Sequence, residues 1–240
     1  MSNYRQRASG LWVPTVPRVC SFFDMLPAAQ QAAKKAAAGG GGSGPVTFVN
    51  DALTTDASVT EREPNTAWTY AAGGATQPDT GGVNNASLGY GVKNTGQLSP
   101  DPTAIADSKT TDLSVEVGAK TGTVWTTLHV YADNASVNNI QDSFNLYCDG
   151  TNFTIRARVG TFDSTLATAA QTYTAGDIIK LSITKSGSNW NGVAYKNGIE
   201  VCSFTNQAHA GTLGQNSVIE YLGFSGATAT YKDALATSNG

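Results

Sequence analysis

The sequence predicts an all-β chain: an antiparallel two-sheet sandwich over residues 45–240, preceded by an extended arm and one short Ala-rich helix. Three observations predict it. Only 14% of the 240 residues are charged, against about 25% in ordinary soluble domains, and Gly, Thr, Ala, Asn and Ser dominate a turn-rich composition. Short β-branched or alternating runs recur after Pro45 between Gly, Asn, Asp and Ser clusters, the pattern of a sandwich or barrel. Two hairpin turns are written in Asp149-Gly150 and Asn197-Gly198, because these pairs tolerate the positive φ that tight hairpins require.

The first nineteen residues, MSNYRQRASGLWVPTVPRV, join Arg5, Arg7 and Arg18 to an apolar Leu11-Trp12-Val13 cluster. Pro14 and Pro17 forbid a continuous helix, so the segment reads as an extended arm. An exposed Leu-Trp-Val cluster is a liability in a monomer. These six residues are therefore expected to dock on a partner protein, although folding back onto their own sandwich would hide them equally well. Residues 21–38, SFFDMLPAAQQAAKKAAA, have helical composition, with Pro27 suited to the first turn. So short a helix gains order only by packing, and copies of itself would serve, which makes a homo-oligomer the expectation. GGGGSG at residues 39–44 reads as a flexible hinge, natural or engineered, between the docking arm with its helix (1–38) and the sandwich (45–240).

Charge divides at the same hinge. Residues 1–38 carry five basic and one acidic side chain, or +4; the rest carry ten basic and seventeen acidic, or −7, which together give −3. A basic arm suits an acidic partner surface, while the acidic sandwich disfavours sequence-specific nucleic-acid binding. The start of the sequence has no apolar stretch of signal-peptide length and no run of about 18 apolar residues follows, so cytoplasmic synthesis without membrane insertion is expected. Three cysteines, Cys20, Cys148 and Cys202, are too few and scattered for a disulfide framework or a C-x-x-C metal site. They read as packed thiols, with a bridge between Cys148 and Cys202 left open.

The clearest strands are Val46–Val49, Trp68–Tyr70, Leu113–Ala119, Val124–Ala132, Phe144–Cys148, Phe153–Val159, Ile178–Lys185, Asn191–Lys196, Ile199–Thr205 and Ile219–Ser225. Strict alternation in Phe153-Thr154-Ile155-Arg156-Ala157-Arg158-Val159 buries one face and leaves Arg156 and Arg158 on the other.

The run Asp177-Ile178-Ile179-Lys180-Leu181-Ser182-Ile183, followed by Ser188-Asn189-Trp190-Asn191-Gly192-Val193-Ala194-Tyr195-Lys196-Asn197-Gly198-Ile199-Glu200-Val201, resembles concanavalin-A-like and laminin-G-like domains. The stretch from Phe48-Val49-Asn50-Asp51 to Ala67-Trp68-Thr69 resembles the first strand of the same group. The resemblance implies a two-sheet jelly roll. The layout of basic arm, Ala helix, glycine hinge and sandwich resembles virion proteins of tailed bacteriophages. It implies an arm docked on the capsid, neck or tail and a displayed decoration, fibre or adaptor module, made in the host cytoplasm and resident in the virion.

Candidate sites are few. Glycosidases on this fold use an E-x-D-x-x-E triplet of carboxylates, which the sequence lacks; Asp112 and Glu116 fall on one strand face but roughly 13 Å apart. His129 and His209 have no Ser or Cys at nucleophile-elbow spacing, so acyl transfer has no visible apparatus, and His129 reads as a strand surface residue. No reaction is legible and the chain is expected not to be an enzyme. Resemblance to the concanavalin group brings calcium into view, for which Asp133, Asn134 and Asp142 are the ligand candidates beside Asn138 and Asn139; turn formation accounts for the same residues. Otherwise no cofactor is expected. A surface glycan would require exposed aromatics, with Trp190 and Tyr195 as the leading candidates and Tyr131 and Tyr147 behind them.

Overall fold

The computed structural model describes residues 4–6, 12–14, 45–53, 69–71, 74–76, 101–122, 124–134, 139–223 and 228–239. The chain divides into two compact units, Met1–Gly42 and Ser43–Gly240. In the first, strands β1 (Tyr4–Gln6) and β2 (Trp12–Pro14) pair antiparallel, with Arg5 opposite Val13 and Gln6 opposite Trp12. Three of the expected docking residues, Arg5, Trp12 and Val13, thus lie on paired strands. Arg7, Leu11, Arg18, Cys20, the Ala-rich segment 21–38 and the glycine run 39–44 lie outside the described residues.

The second unit is an antiparallel two-sheet sandwich. Its strands are β3 (Pro45–Asp51), β4 (Thr69–Ala71), β5 (Gly74–Thr76), β6 (Thr110–Thr121), β7 (Val124–Ala132), β8 (Ser143–Cys148), β9 (Asn152–Val159), β10 (Phe162–Ala170), β11 (Ile178–Ser186), β12 (Asn189–Lys196), β13 (Ile199–Gln207), β14 (Asn216–Gly223) and β15 (Thr228–Asn239). One sheet has the order β10-β9-β8-β7-β14; the other runs β13-β12-β11-β6-β15-β5-β4, with β3 also paired to β15. β10, β15 and the short β5 were not among the strands expected from the sequence.

Alternation sets the core. On β6, Thr111, Leu113, Val115 and Val117 point inward while Asp112, Ser114 and Glu116 point out. Leu181 and Ile183 of β11 join them and face Leu128, Phe144, Leu146 and Ile155 of the smaller sheet in one hydrophobic cluster. The Asn197-Gly198 turn joins β12 to β13 with φ of +52° and +77°, the doubly positive pair that a two-residue hairpin matching strand twist demands. The turn at Asp149 is also built locally: its Oδ1 accepts the backbone N–H groups of Thr151 and Asn152 at 2.8 and 2.7 Å.

Cys148 is buried and Cys202 half-buried, and both are free thiols, so the bridge left open by the sequence is not formed. Burial pushes both thiols up from their ordinary range, away from the thiolate that would react.

Candidate functional site

The outward face of the five-stranded sheet carries a groove of about 240 Å³ lined by Trp125, Thr127, His129, Asn145, Tyr147, Arg156, Arg158, Asp163 and Glu220. Strand register assembles it. Arg156 of β9, Asn145 of β8 and His129 of β7 are direct neighbours across three strands, and Thr154, Tyr147, Thr127 and Glu220 form the next row. Side chains two apart along each strand share a face, so the two rows make one surface.

His129 forms the floor. Its Nε2 donates to Glu220 Oε2 at 3.0 Å, and its Nδ1 is hydrogen-bonded with Ser143 Oγ at 3.0 Å. The sequence reading of His129 as a strand surface residue is corrected here: the side chain is on the outer face, but flanking strands cover it to 1% exposure. The Ser143–His129–Glu220 chain has the order of an acyl-transfer triad. However, Ser143 is completely buried, so no carbonyl can reach its hydroxyl and the serine serves to orient the imidazole. Beside this chain β7 is irregular: Tyr131 has φ of +59°, and the four residues from His129 to Ala132 of β7 are matched by three of β14, Asn216 to Val218. Such a bulge bends the strand next to the groove.

The rim is aromatic and charged. Trp125 and Tyr147 meet edge to face with ring centroids 5.4 Å apart, and the Arg156 guanidinium covers the Tyr147 ring. Asp163 is held from two sides, by Arg156 at 3.7 Å and by Asn145 Nδ2 at 3.2 Å. Two half-buried rings beside a floor of hydrogen-bonding side chains present an amphipathic surface, apolar for a ring face and polar for hydroxyls.

The aromatic candidates from the sequence are dispersed. Trp190 is corrected from exposed to core: it is 5% exposed and packs on Tyr131 and Phe144 with centroids 5.1 and 5.7 Å away. Tyr131 is also in the core, its hydroxyl 2.8 Å from Thr111 Oγ1. Tyr195 is half-buried on the outer face of the other sheet, beneath Lys180 at 4.5 Å, in a second depression that includes Asp112 and Asn239. Only Tyr147 of the four belongs to the groove. Asp112 and Glu116 do share a face and each meets a lysine, Lys180 at 3.3 Å and Lys232 at 2.8 Å.

Three of the carboxylate oxygens proposed for calcium accept backbone N–H groups, and Asn138 lies outside the described residues. Asp133 Oδ1 accepts from Gln141 N and Asp142 N, Asp142 Oδ1 from Gly160 N, and Asp142 Oδ2 from Thr212 N. Among the described residues no group of three or more His, Cys, Asp or Glu is arranged to hold a metal ion. The carboxylates tie three loops together, the turn-building role that the same residue types also allow.

No protein-family model and no curated protein sequence matches the chain. Solved structures do. The carbohydrate recognition domain of Emp46p, in its potassium-bound form, is similar at TM-score 0.58 and 11% identity, over 81% of this chain and 96% of that one. The CBM2 module of the evolved Dit of Lactobacillus casei BL23 phage J-1 is similar at TM-score 0.51 and 13% identity, over 82% and 97%. A mutant of alginate lyase Aly36B bound to an alginate tetrasaccharide reaches TM-score 0.48 and 8% identity, over 82% and 97%. At these identities the likeness is one of fold.

Proposed function

We propose that the Ser43–Gly240 unit is a carbohydrate-binding module that takes an oligosaccharide in the groove of the five-stranded sheet. The observation that carries this reading is the Trp125–Tyr147 pair standing beside the hydrogen-bonding row of His129, Asn145 and Arg156. A pyranose ring offers one apolar face for stacking and a fringe of hydroxyls for such donors and acceptors. The module is read as a binder: the groove's two carboxylates are each engaged within it, Asp163 by Asn145 and Arg156 and Glu220 by His129.

The test is a glycan array probed with the full chain, followed by calorimetry on each hit with Trp125→Ala and Tyr147→Ala. Saturable binding that either variant weakens tenfold or more supports the reading. Absence of any hit, or hits indifferent to both variants, overturns it.

A second reading concerns placement: the Met1–Gly42 unit anchors the module to a bacteriophage particle, by the capsid, neck or tail. It is supported by the basic charge of residues 1–38, by the division of the chain at Gly42, and by the shared fold with a phage J-1 module. A chain lacking residues 1–42 should keep its glycan binding and lose association with particles; retained association refutes the anchor.

A further inference from the structure

Resting on the groove as a glycan site, we propose that its ligand is an anionic oligosaccharide whose carboxylate or sulfate group pairs with Arg158. The groove holds two arginines with opposite situations. Arg156 is satisfied: it pairs with Asp163 and lies over Tyr147. Arg158, two residues along β9 on the same face, has a buried Nε without a hydrogen-bond partner among the described residues. The Arg158 side chain lines the groove and has no carboxylate partner among the described residues, and an anion entering the groove would supply one.

The groove's own carboxylates are engaged by other groups. Asp163 is held by Arg156 and Asn145, and Glu220 by His129 on the far strand. A guanidinium presents its donors as a planar fork, which matches the two oxygens of a carboxylate or sulfate and gains little from a single hydroxyl. Selectivity for a discrete anion over bulk polyanion follows from the setting, since residues 45–240 carry ten basic against seventeen acidic side chains, a balance of −7.

Register also sets the length of the ligand. Tyr147 lies opposite Thr154 on β9, and Arg158 is four residues farther, roughly 13 Å along the strand. The ring packed against the Trp125–Tyr147 edge and the ring bearing the anion are on this spacing different rings of one chain.

The experiment uses the full-length protein on an array of matched pairs: uronate oligosaccharides beside their methyl-esterified forms, and sulfated oligosaccharides beside their desulfated forms. Preference of at least tenfold for the charged member of either pair is expected, and which pair responds tells carboxylate from sulfate. Arg158→Gln should erase that preference while Trp125→Ala weakens both members, with thermal melting used to confirm that each variant is folded. If Arg158→Gln does not fold, Arg158→Lys, which keeps the charge and loses the fork, should reduce the preference instead. Equal binding to charged and neutral members overturns the anion and leaves the glycan site standing. Binding to no member overturns both. A preference unchanged in the arginine variant overturns Arg158 as its source.

Discussion

The Arg156 guanidinium lies 3.9 Å from the centroid of the Tyr147 ring, so one side chain both caps the aromatic rim of the groove and reaches Asp163 on the neighbouring strand. Burial raises the Tyr147 phenol to about 12, with Arg156 acting in the opposite direction, so the ring meets a ligand as a neutral phenol. A cation over an aromatic face contributes about 0.5–2 kcal/mol. Arg156→Ala is expected to lower the unfolding free energy by that amount in urea titration. Tyr147→Phe, which keeps the ring face, should stay near the parent value. An Arg156→Ala protein as stable as the parent would show that the stacking contributes nothing.

Trp190 gives the sharpest contrast between core and surface. Truncation of a buried aromatic costs about 3–5 kcal/mol, so Trp190→Ala should shift the urea midpoint strongly while the folded fraction binds glycan as before. Normal stability with lost binding would return Trp190 to the surface.

That contrast shows what the sequence made legible. The alternation of β6 and β9 and the Asn197-Gly198 turn were plain because each depends on neighbours in the chain. β10 was missed because most of its residues, including Phe162 at 79%, are exposed, and an edge strand with little to bury writes a weak period-two signal. β15 was missed because Lys232, Asp233 and a positive φ at Asp233 interrupt it. Trp190 and Tyr195 are five residues apart on one strand, which by period two alone places them on opposite faces; that signal was present and could have separated them. The groove was illegible for a different reason. His129 meets Glu220 across 91 residues, and β7 is buried on both faces, so neither spacing nor alternation marks the site.

Acid should test Asp177. Burial pushes its carboxyl up, but the Thr174 backbone N–H at 2.7 Å, Asn197 Nδ2 at 2.7 Å and Lys196 at 3.0 Å outweigh burial and hold it below the usual carboxylate range. A lowered folded value stabilises the fold above about pH 3.9, the unfolded value, and this contribution is lost as pH falls through the folded one. Asp177→Asn should therefore be less stable than the parent at pH 7, by roughly 1.5–3 kcal/mol for charged hydrogen bonds, and the gap should narrow as the pH falls through the lowered folded value. A gap independent of pH would refute the assignment.

Two glycines on one hairpin should respond differently to the same replacement. A Cβ at Gly192 would overlap the Phe204 ring, which is stacked on Phe144 at 5.7 Å, and overpacking of this kind costs about 1–3 kcal/mol. Gly198 has open space around it, and its cost is backbone strain alone. Asn tolerates that left-handed region, so Gly198→Asn should fold almost as well as the parent, whereas Gly192→Asn should not. Similar chemical-denaturation midpoints for the two variants would argue against this distinction.

β15 sits in the middle of the larger sheet, against β6 on one side and β3 and β5 on the other, although it follows all of them in the chain. During synthesis β6 must wait, edge unpaired, while more than one hundred residues emerge behind it. The sandwich consequently cannot be completed stepwise on the ribosome, and its closing event is a long-range insertion of the kind that makes β topologies slow to fold. A chain that stops short of Thr228 would leave the β6 edge exposed and prone to pair with another chain, which makes the last strand the one whose absence a cell's quality control would register first.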